Sequence, residues 1–161
     1  MPPRIDPCDL ARHLAPALHW PGAGAVRERE WRLIAHTEAF DAWLIAWPPG
    51  GTVALHDHGP SQGALSVIAG TLVEAVPWRD DTGRLALRRR EVGVGTTLGF
   101  RAGHVHDVTN ESGTHALSLH VYTPALTEMT LFELRADRLV ARGVQPADGA
   151  DRRAPGAIAL R

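Results

Sequence analysis

The chain has 161 residues, of which 44% are hydrophobic and 22% charged, a composition that indicates a folded globular protein and excludes a disordered or fibrous one. The length predicts a single domain over residues 1–161. Seventeen basic residues, all arginine, face 18 acidic ones, and this net charge of −1 argues against a partner that is nucleic acid or an anionic membrane.

A short helix is predicted near the N-terminus. Asp6 can cap it, Pro7 suits its first position, and Pro16 should end or kink it. This segment holds the only cysteine, Cys8, which excludes an internal disulfide and a cysteine-based zinc site and favours a cytoplasmic location. No signal peptide and no membrane-spanning run is expected from the pattern of apolar residues.

From Trp31 onward the pattern is that of an all-β protein. Short runs rich in Val, Leu, Ile, Thr and Trp alternate with turns that contain Gly, Pro or Asp, which is typical of a sandwich or barrel. The tail after about Val144 has few bulky apolar residues, so we expect it to be mobile or to dock on a neighbour. The predicted strands are 31–36, 42–47, 52–56, 64–69, 71–77, 84–90, 96–99, 106–110, 116–122 and 129–135.

Two His-x-His pairs stand out among the nine histidines. His56 and His58 end a predicted strand, and alternate residues of a strand share a face, so both can reach one metal ion while Asp57 points away. A polar strand face would give the same pattern. A second pair, His104 and His106, follows a predicted turn on a strand that could lie beside the first. Together the two segments predict a metal site.

The residues around both pairs resemble the two motifs of the cupin superfamily. The resemblance implies a jelly-roll β-barrel with a short N-terminal helical segment and a metal held by His56, His58 and His106. Motif spacing favours His106 over His104 as the third ligand. The chain departs from the pattern at Gly63, where most cupins carry a glutamate ligand. The matching positions are Gly50, His56, His58 and Gly70 in the first motif, and Gly95, Gly103, His106 and Asn110 in the second, with Arg101 in place of proline.

A cupin site with three histidines and no carboxylate is similar to that of the thiol dioxygenases, in particular the cysteine dioxygenase type I family. The resemblance extends over about residues 28–135. Ser118, His120 and Tyr122 match the family's Ser-x-His-x-Tyr strand, followed by a Ser/Thr-Pro step that is often cis, although the sequence does not decide the Thr123–Pro124 isomer. By strand parity the three polar side chains share one face, which is either a hydrogen-bonded relay inside the barrel or a solvent-exposed surface.

The resemblance also points to a substrate-binding arginine. Phe40 and Trp47 keep the family's spacing to the first metal histidine, and Arg32 falls where the family places the arginine that holds the substrate carboxylate, unless it is an ordinary surface residue. Animal members crosslink a cysteine to the pocket tyrosine. The matching position here is Gly63, so no crosslink to Tyr122 is expected, as in the bacterial branch.

The function implied by the resemblance is oxidation of L-cysteine by dioxygen to cysteine sulfinate in cysteine catabolism. Fe(II) would be the cofactor, held by the three histidines. Arg32 would hold the substrate, and Tyr122, oriented by His120 and Ser118, would donate a hydrogen bond in the pocket. The small-molecule partners would be the thiol and dioxygen, and the oligomeric state is left open.

Three alternatives remain at this point. The first is a dioxygenase of another small thiol such as 3-mercaptopropionate, although those relatives tend to have glutamine where Arg32 sits. The second is a cupin that binds a metal or small ligand without turnover. The third, a zinc or manganese isomerase acting on sugars, is disfavoured because such enzymes usually need the missing glutamate.

Overall fold

A computed structural model describes residues 5–147, and eleven antiparallel strands and one short α-helix account for most of them. All ten predicted strands are present, with ends that differ by up to three residues. The all-β prediction is therefore confirmed. The strands are β1 Glu30–His36, β2 Asp41–Trp47, β3 Thr52–His56, β4 Gln62–Ala69, β5 Thr71–Arg79, β6 Leu85–Gly93, β7 Thr97–Phe100, β8 His106–Thr109, β9 Ala116–Thr123, β10 Glu128–Arg135 and β11 Arg138–Pro146.

The predicted N-terminal helix is α1, Pro7–Leu14. The Asp6 carboxylate accepts hydrogen bonds from the backbone amides of Cys8, at 2.8 Å, and Asp9, at 3.4 Å, so two donors at the start of the helix are satisfied. The α-helix gives way to a 3₁₀ turn, Ala15–Ala17, whose middle residue is Pro16. The prolines thus mark both ends of the helix, as predicted. Within residues 5–147, no helix is long and apolar enough to cross a membrane.

The strands form two sheets, and two cores follow from the alternation of side chains along them. The five-stranded sheet has the order β1-β2-β9-β4-β7, and the six-stranded sheet has the order β11-β10-β3-β8-β5-β6. An inner core between the sheets contains Trp43, Trp47 and Tyr122, together with Leu72 and Val108 from the other sheet. The candidate site lies on this inner side.

An outer core lies on the opposite face of the five-stranded sheet. Residues of α1 and the segment after it, such as Ala11 and Trp20, pack there against Leu44, Leu119 and Val121. Both faces of β2 and β9 are therefore covered, and nearly every residue of these two strands is buried.

The structure adds one strand that the sequence pattern did not reveal. β11 pairs with β10 through a turn at Ala136 and Asp137, in which Ala136 has a φ of 48°. Most residues of β11 are exposed, so it lacks the apolar alternation that marks a half-buried strand. The tail predicted to start after Val144 is therefore still in a strand up to Pro146, and its remainder, from residue 148 onward, lies outside the described residues.

Candidate metal centre

Three histidines converge in the inner side of the barrel. His56, His58 and His106 are all nearly inaccessible to solvent, and they form a group that could hold a metal ion, with one ligand atom from each lying within 4.8 Å of the others. The Nε2 atoms of His56 and His58 are 3.1 Å apart. The ring centroids of the three imidazoles are separated by 4.8 to 5.1 Å. The structure thus brings together the three residues predicted as ligands.

Strand pairing and one tight turn place these side chains. His56, the last residue of β3, lies directly opposite His106, the first residue of β8. His58 follows in a turn in which the Ser61 amide donates to the His58 carbonyl at 3.0 Å. The Asp57 carboxylate points away and accepts from the amides of Gly59, at 3.2 Å, and Thr130, at 3.1 Å. Asp57 therefore anchors the turn to β10, as its parity predicts.

The three imidazoles are held in the neutral form that metal binding requires. Burial, followed by the neighbouring His106, lowers the pKa of His56 to about 3. Burial also lowers the pKa values of His58 and His106, the latter against the opposing effect of Glu74. Buried nitrogen atoms that face one another, with no carboxylate among them, match the donor set of a three-histidine metal site. A divalent metal ion therefore fits this group.

Stability of the metal-free protein should depend on pH because of these buried histidines. His56 and His120, each with a pKa lowered to about 3 by burial, stay neutral in the folded chain, whereas an unfolded histidine takes up a proton below about pH 6.5. The contribution of these histidines to the free energy of unfolding should therefore be complete above pH 6.5. At lower pH the free energy of unfolding should fall, by about 1 kcal/mol per pH unit for each such histidine. Urea unfolding at pH 7 and pH 5 in the presence of a chelator measures this. A free energy that stays level or rises toward pH 5 would contradict it.

A buried carboxylate that the sequence analysis did not predict lies beside the triad of His56, His58 and His106. Glu74 on β5 is 1% exposed, and its Oε1 accepts a hydrogen bond from His106 Nδ1 at 2.8 Å. His104 Nε2 is 3.3 Å from the same oxygen, and Arg90 Nε donates to Oε2 at 2.6 Å. His104 is therefore a neighbour of Glu74 at the rim of the site, outside the group formed by the other three histidines. The alternation of β5 could have indicated an inward-facing charge at Glu74.

The polar face of β9 is a buried hydrogen-bonded chain and not a solvent-exposed surface. Trp47 Nε1 donates to Ser118 Oγ at 2.8 Å, Ser118 Oγ is 2.9 Å from His120 Nε2, and His120 Nδ1 is 3.3 Å from Tyr122 Oη. The Tyr122 ring lies 4.8 Å from the His58 ring, measured between centroids. The three residues predicted to form a relay therefore end beside His58, one of the three candidate metal ligands.

Donor and acceptor chemistry favours one direction along this chain. An indole only donates, so the Ser118 oxygen accepts from Trp47, and the buried serine proton is satisfied by His120 Nε2. His120 Nδ1 then carries the proton and donates to Tyr122. Because burial lowers the pKa of His120 to about 3 and raises that of Tyr122, both groups stay neutral. The Tyr122 hydroxyl is thus left able to donate to a further acceptor.

Gly63 is required by the close approach of an aromatic ring. A Cβ atom at this position would lie 2.5 Å from Phe100 Cε2 and 2.6 Å from Phe100 Cζ, and the Phe100 ring stacks on His58 at 4.8 Å. The same Cβ would lie 2.6 Å from the Val121 carbonyl oxygen, and because this backbone atom cannot turn aside as a side chain can, a larger residue at position 63 is disfavoured by packing. Cys8 packs against the outer core, on the other side of the sheet from Tyr122. Both placements agree with the prediction that Tyr122 carries no crosslink. The Thr123–Pro124 peptide bond is cis.

The placement predicted for Arg32 in the pocket is wrong. In the register of β1 and β2, Arg32 lies opposite Leu44, a residue of the outer core, and its guanidinium stacks on the Trp20 ring at 3.8 Å. Its neighbour Trp31 lies opposite Ile45 and faces the inner core. Residues on opposite faces of a strand cannot reach the same pocket, so Arg32 and the three histidines are not brought together.

The alternation of side chains along β1 places Arg29, and not Arg32, on the same inner face as Trp31. Arg29 precedes β1, and its guanidinium lies 5.0 Å from the centroid of the Trp31 ring and 5.5 Å from that of Trp47. Its charge also contributes to lowering the pKa of His120, after burial and the neighbouring His106 and His56. Arg29 is half-buried. Sequence reasoning missed it because spacing alone does not decide between two arginines three residues apart.

Comparison with known proteins places this site in a family. The model of the family described as "Cysteine dioxygenase type I" matches residues 25–135. Among solved structures, a conserved protein with a double-stranded β-helix domain from Klebsiella pneumoniae has a TM-score of 0.55 at 18% identity, with 85% of this chain and 94% of that chain covered. A cupin superfamily protein from Desulfitobacterium hafniense has a TM-score of 0.51 at 15% identity, with coverages of 65% and 88%.

Recombinant oxalate oxidase in complex with glycolate is a further structural neighbour, with a TM-score of 0.54, 19% identity and 68% of this chain covered. The match spans only 57% of the oxalate oxidase chain. At these identities the structural likeness concerns the fold alone, and it confirms the predicted cupin barrel. The family match covers more than half of the chain and includes all three histidines of the metal centre. The chain therefore belongs to the cysteine dioxygenase type I family.

Proposed function

We propose that this protein is a non-haem iron thiol dioxygenase that oxidises L-cysteine with dioxygen to cysteine sulfinate. Membership of the cysteine dioxygenase type I family supports an oxidoreductase of the dioxygenase type. The observation that carries the proposal is a group of three buried, neutral histidines without a carboxylate, with the Tyr122 ring beside His58. Arg29 lies on the same inner side of the sheet, and its charge contributes to lowering the pKa of His56. The reaction consumes one thiol and one dioxygen, and both oxygen atoms end in the sulfinate. We place it in cysteine catabolism in the cytoplasm.

His56, His58 and His106 would hold Fe(II) through their Nε2 atoms. Iron is redox-active and would activate dioxygen when bound, which a redox-silent zinc ion cannot do. With only three protein ligands, the ion would remain accessible to the thiol substrate and to dioxygen. The rings of Phe100 and Tyr122, each with its centroid 4.8 Å from that of His58, would help to keep bulk water away from the thiolate.

Two residues would contact the substrates beside the metal. Arg29 offers a guanidinium fork on the inner side of β1, which suits a bidentate grip on the substrate carboxylate. We therefore assign to Arg29 the role expected of Arg32. Tyr122 would donate its remaining hydrogen bond to the reacting sulfur or oxygen, with His120 and Ser118 holding its orientation.

Oxygen uptake by protein loaded with Fe(II) under anaerobic conditions tests the proposal. L-cysteine, 3-mercaptopropionate and cysteamine are compared in parallel, and the sulfinate products are identified by mass. Uptake of one dioxygen per L-cysteine, with weaker responses to the other two thiols, is the expected result. A stronger response to 3-mercaptopropionate would overturn the substrate, and bound iron without uptake for any thiol would indicate a cupin without this activity.

The Tyr122→Phe variant should lower turnover by about tenfold or more, because it removes one hydrogen-bond donor from the site. It should also lower the ratio of sulfinate formed to dioxygen consumed. The substitution keeps the ring that packs on His58, so iron content should stay at the wild-type level. Full turnover and full coupling in Tyr122→Phe would refute the role of this hydroxyl.

A further inference from the structure

Glu74 is the charged group that contacts the metal centre most closely from outside the triad. It lies on β5 opposite Val108 of β8, and this strand pairing places its carboxylate next to the Nδ1 atom of His106. Its carboxylate is surrounded by three donors, His106 Nδ1 at 2.8 Å, Arg90 Nε at 2.6 Å and His104 Nε2 at 3.3 Å. A buried side chain with this many partners is held in one orientation.

The contact with Glu74 decides which nitrogen of His106 is available for a metal. A carboxylate that accepts at Nδ1 requires the proton there, and Nε2 is left with its lone pair. His56 is fixed in the same tautomer by the Ala54 carbonyl oxygen, 2.7 Å from its Nδ1. For His58, no hydrogen-bond partner of Nδ1 is found among residues 5–147. His106 is thus the member of the triad whose Nδ1 atom contacts a carboxylate.

That negative charge matters because the three candidate ligands carry none. Three neutral imidazoles leave the full +2 charge of a divalent ion uncompensated, and the glycine at position 63 supplies no carboxylate ligand. The Arg90 guanidinium, which is always cationic, donates to the second carboxylate oxygen of Glu74 at 2.6 Å, and every other polar contact of this carboxylate in the described part of the chain is with an imidazole N–H donor. Glu74 is therefore ionised at neutral pH.

We infer that Glu74 is a positioning residue of the metal centre, which fixes the Nε2 atom of His106 toward the metal and supplies through that imidazole the negative charge absent from the ligands themselves. The inference rests on the proposed metal site. A carboxylate behind a ligating histidine typically changes metal affinity by about 10- to 100-fold. Through the His106 ring, and without contacting the metal, Glu74 would supply the negative charge that a glutamate ligand supplies in other cupins.

Co²⁺ titration against a competing chelator, followed by the visible absorption of the bound ion, tests this inference. Glu74→Gln keeps the shape and an acceptor but loses the charge, and Glu74→Ala loses both. We expect an affinity loss of about tenfold in the first and about a hundredfold in the second, with a shifted Co²⁺ spectrum. Glu111→Gln is the matched control, since it removes an exposed carboxylate that pairs with Arg89, and it should keep the wild-type affinity and spectrum.

Folded Glu74→Gln with unchanged affinity and spectrum would overturn the inference. Should both variants fail to fold, long-range ¹H–¹⁵N spectra of the metal-free wild-type protein still test it, since His106 is expected in the Nδ1–H tautomer and the Nε2–H tautomer would overturn it. Failure of the proposed metal site looks different, because the wild-type chain itself would then not bind Co²⁺. Failure of the dioxygenase function alone would show as absent thiol-dependent oxygen uptake and would leave the Co²⁺ titration unchanged. A wild-type chain that binds the ion while the Glu74 variants bind it equally well defeats only the inference about Glu74.

Discussion

His58→Ala should bind no iron after anaerobic loading and desalting, and its thiol-dependent oxygen uptake should fall to background. Three ligands are the whole donor set of the proposed site, so the loss of one removes a third of its protein ligands. His58 is the most informative position because its Nδ1 has no hydrogen-bond partner within residues 5–147. Replacement of His106 would instead leave Glu74 without its partner, and replacement of His56 would free the Ala54 carbonyl. Elemental analysis of the desalted protein gives the iron content.

His104→Ala is the matched control for His58→Ala. It removes a histidine that is close to the site but belongs to a second possible ligand group, formed with Glu74 and His106. Iron bound by the proposed triad should survive this substitution. Iron that is retained in His58→Ala and lost in His104→Ala would place the metal in the second group and refute the triad. Melting temperatures measured with and without Fe(II) add an independent readout, because a bound metal stabilises only the folded state.

The sequence was sufficient to predict that His56, His58 and His106 come together, because its signal is local. A His-x-His pair at a strand end fixes the relative positions of His56 and His58, and the paired motif spacing singles out His106. Turn residues and apolar runs likewise predicted ten of the eleven strands. β11 was not predicted because an exposed edge strand lacks the apolar alternation on which such a prediction depends.

The long-range contacts of the site were less predictable. The hydrogen bond between Glu74 and His106 joins residues 32 positions apart on neighbouring strands, and no local spacing encodes that register. Assignment of the arginine failed for a related reason. A shift of one residue in register turns a side chain to the other face, and β1 contains such a shift relative to β2, between Leu33 and Ala35. This irregularity places Arg32 opposite Leu44 on the outer face.

Arg29→Gln should lower kcat/KM for L-cysteine by about 10- to 100-fold, chiefly through KM, while the iron content stays unchanged. A charge-assisted hydrogen bond to a carboxylate contributes about 1.5 to 3 kcal/mol, which corresponds to this range. The guanidinium lies over the Trp31 and Trp47 rings on the inner side of β1, and glutamine keeps a donor there without the charge or the fork. Steady-state oxygen uptake over a range of cysteine concentrations separates KM from kcat.

Two comparisons make this prediction specific to a carboxylate grip. Arg32→Gln removes the same charge from the outer face, where the side chain stacks on Trp20, and should leave kcat/KM near the wild-type value. Cysteamine has no carboxylate, so any turnover of it should respond much less to Arg29→Gln than turnover of cysteine does. If Arg32→Gln impaired cysteine turnover and Arg29→Gln did not, the inward assignment of Arg29 would be wrong. An equal loss for cysteine and cysteamine would instead mean that Arg29 supports the packing around Trp47 and not the substrate, since Trp47 donates to Ser118 at the start of the chain that holds Tyr122.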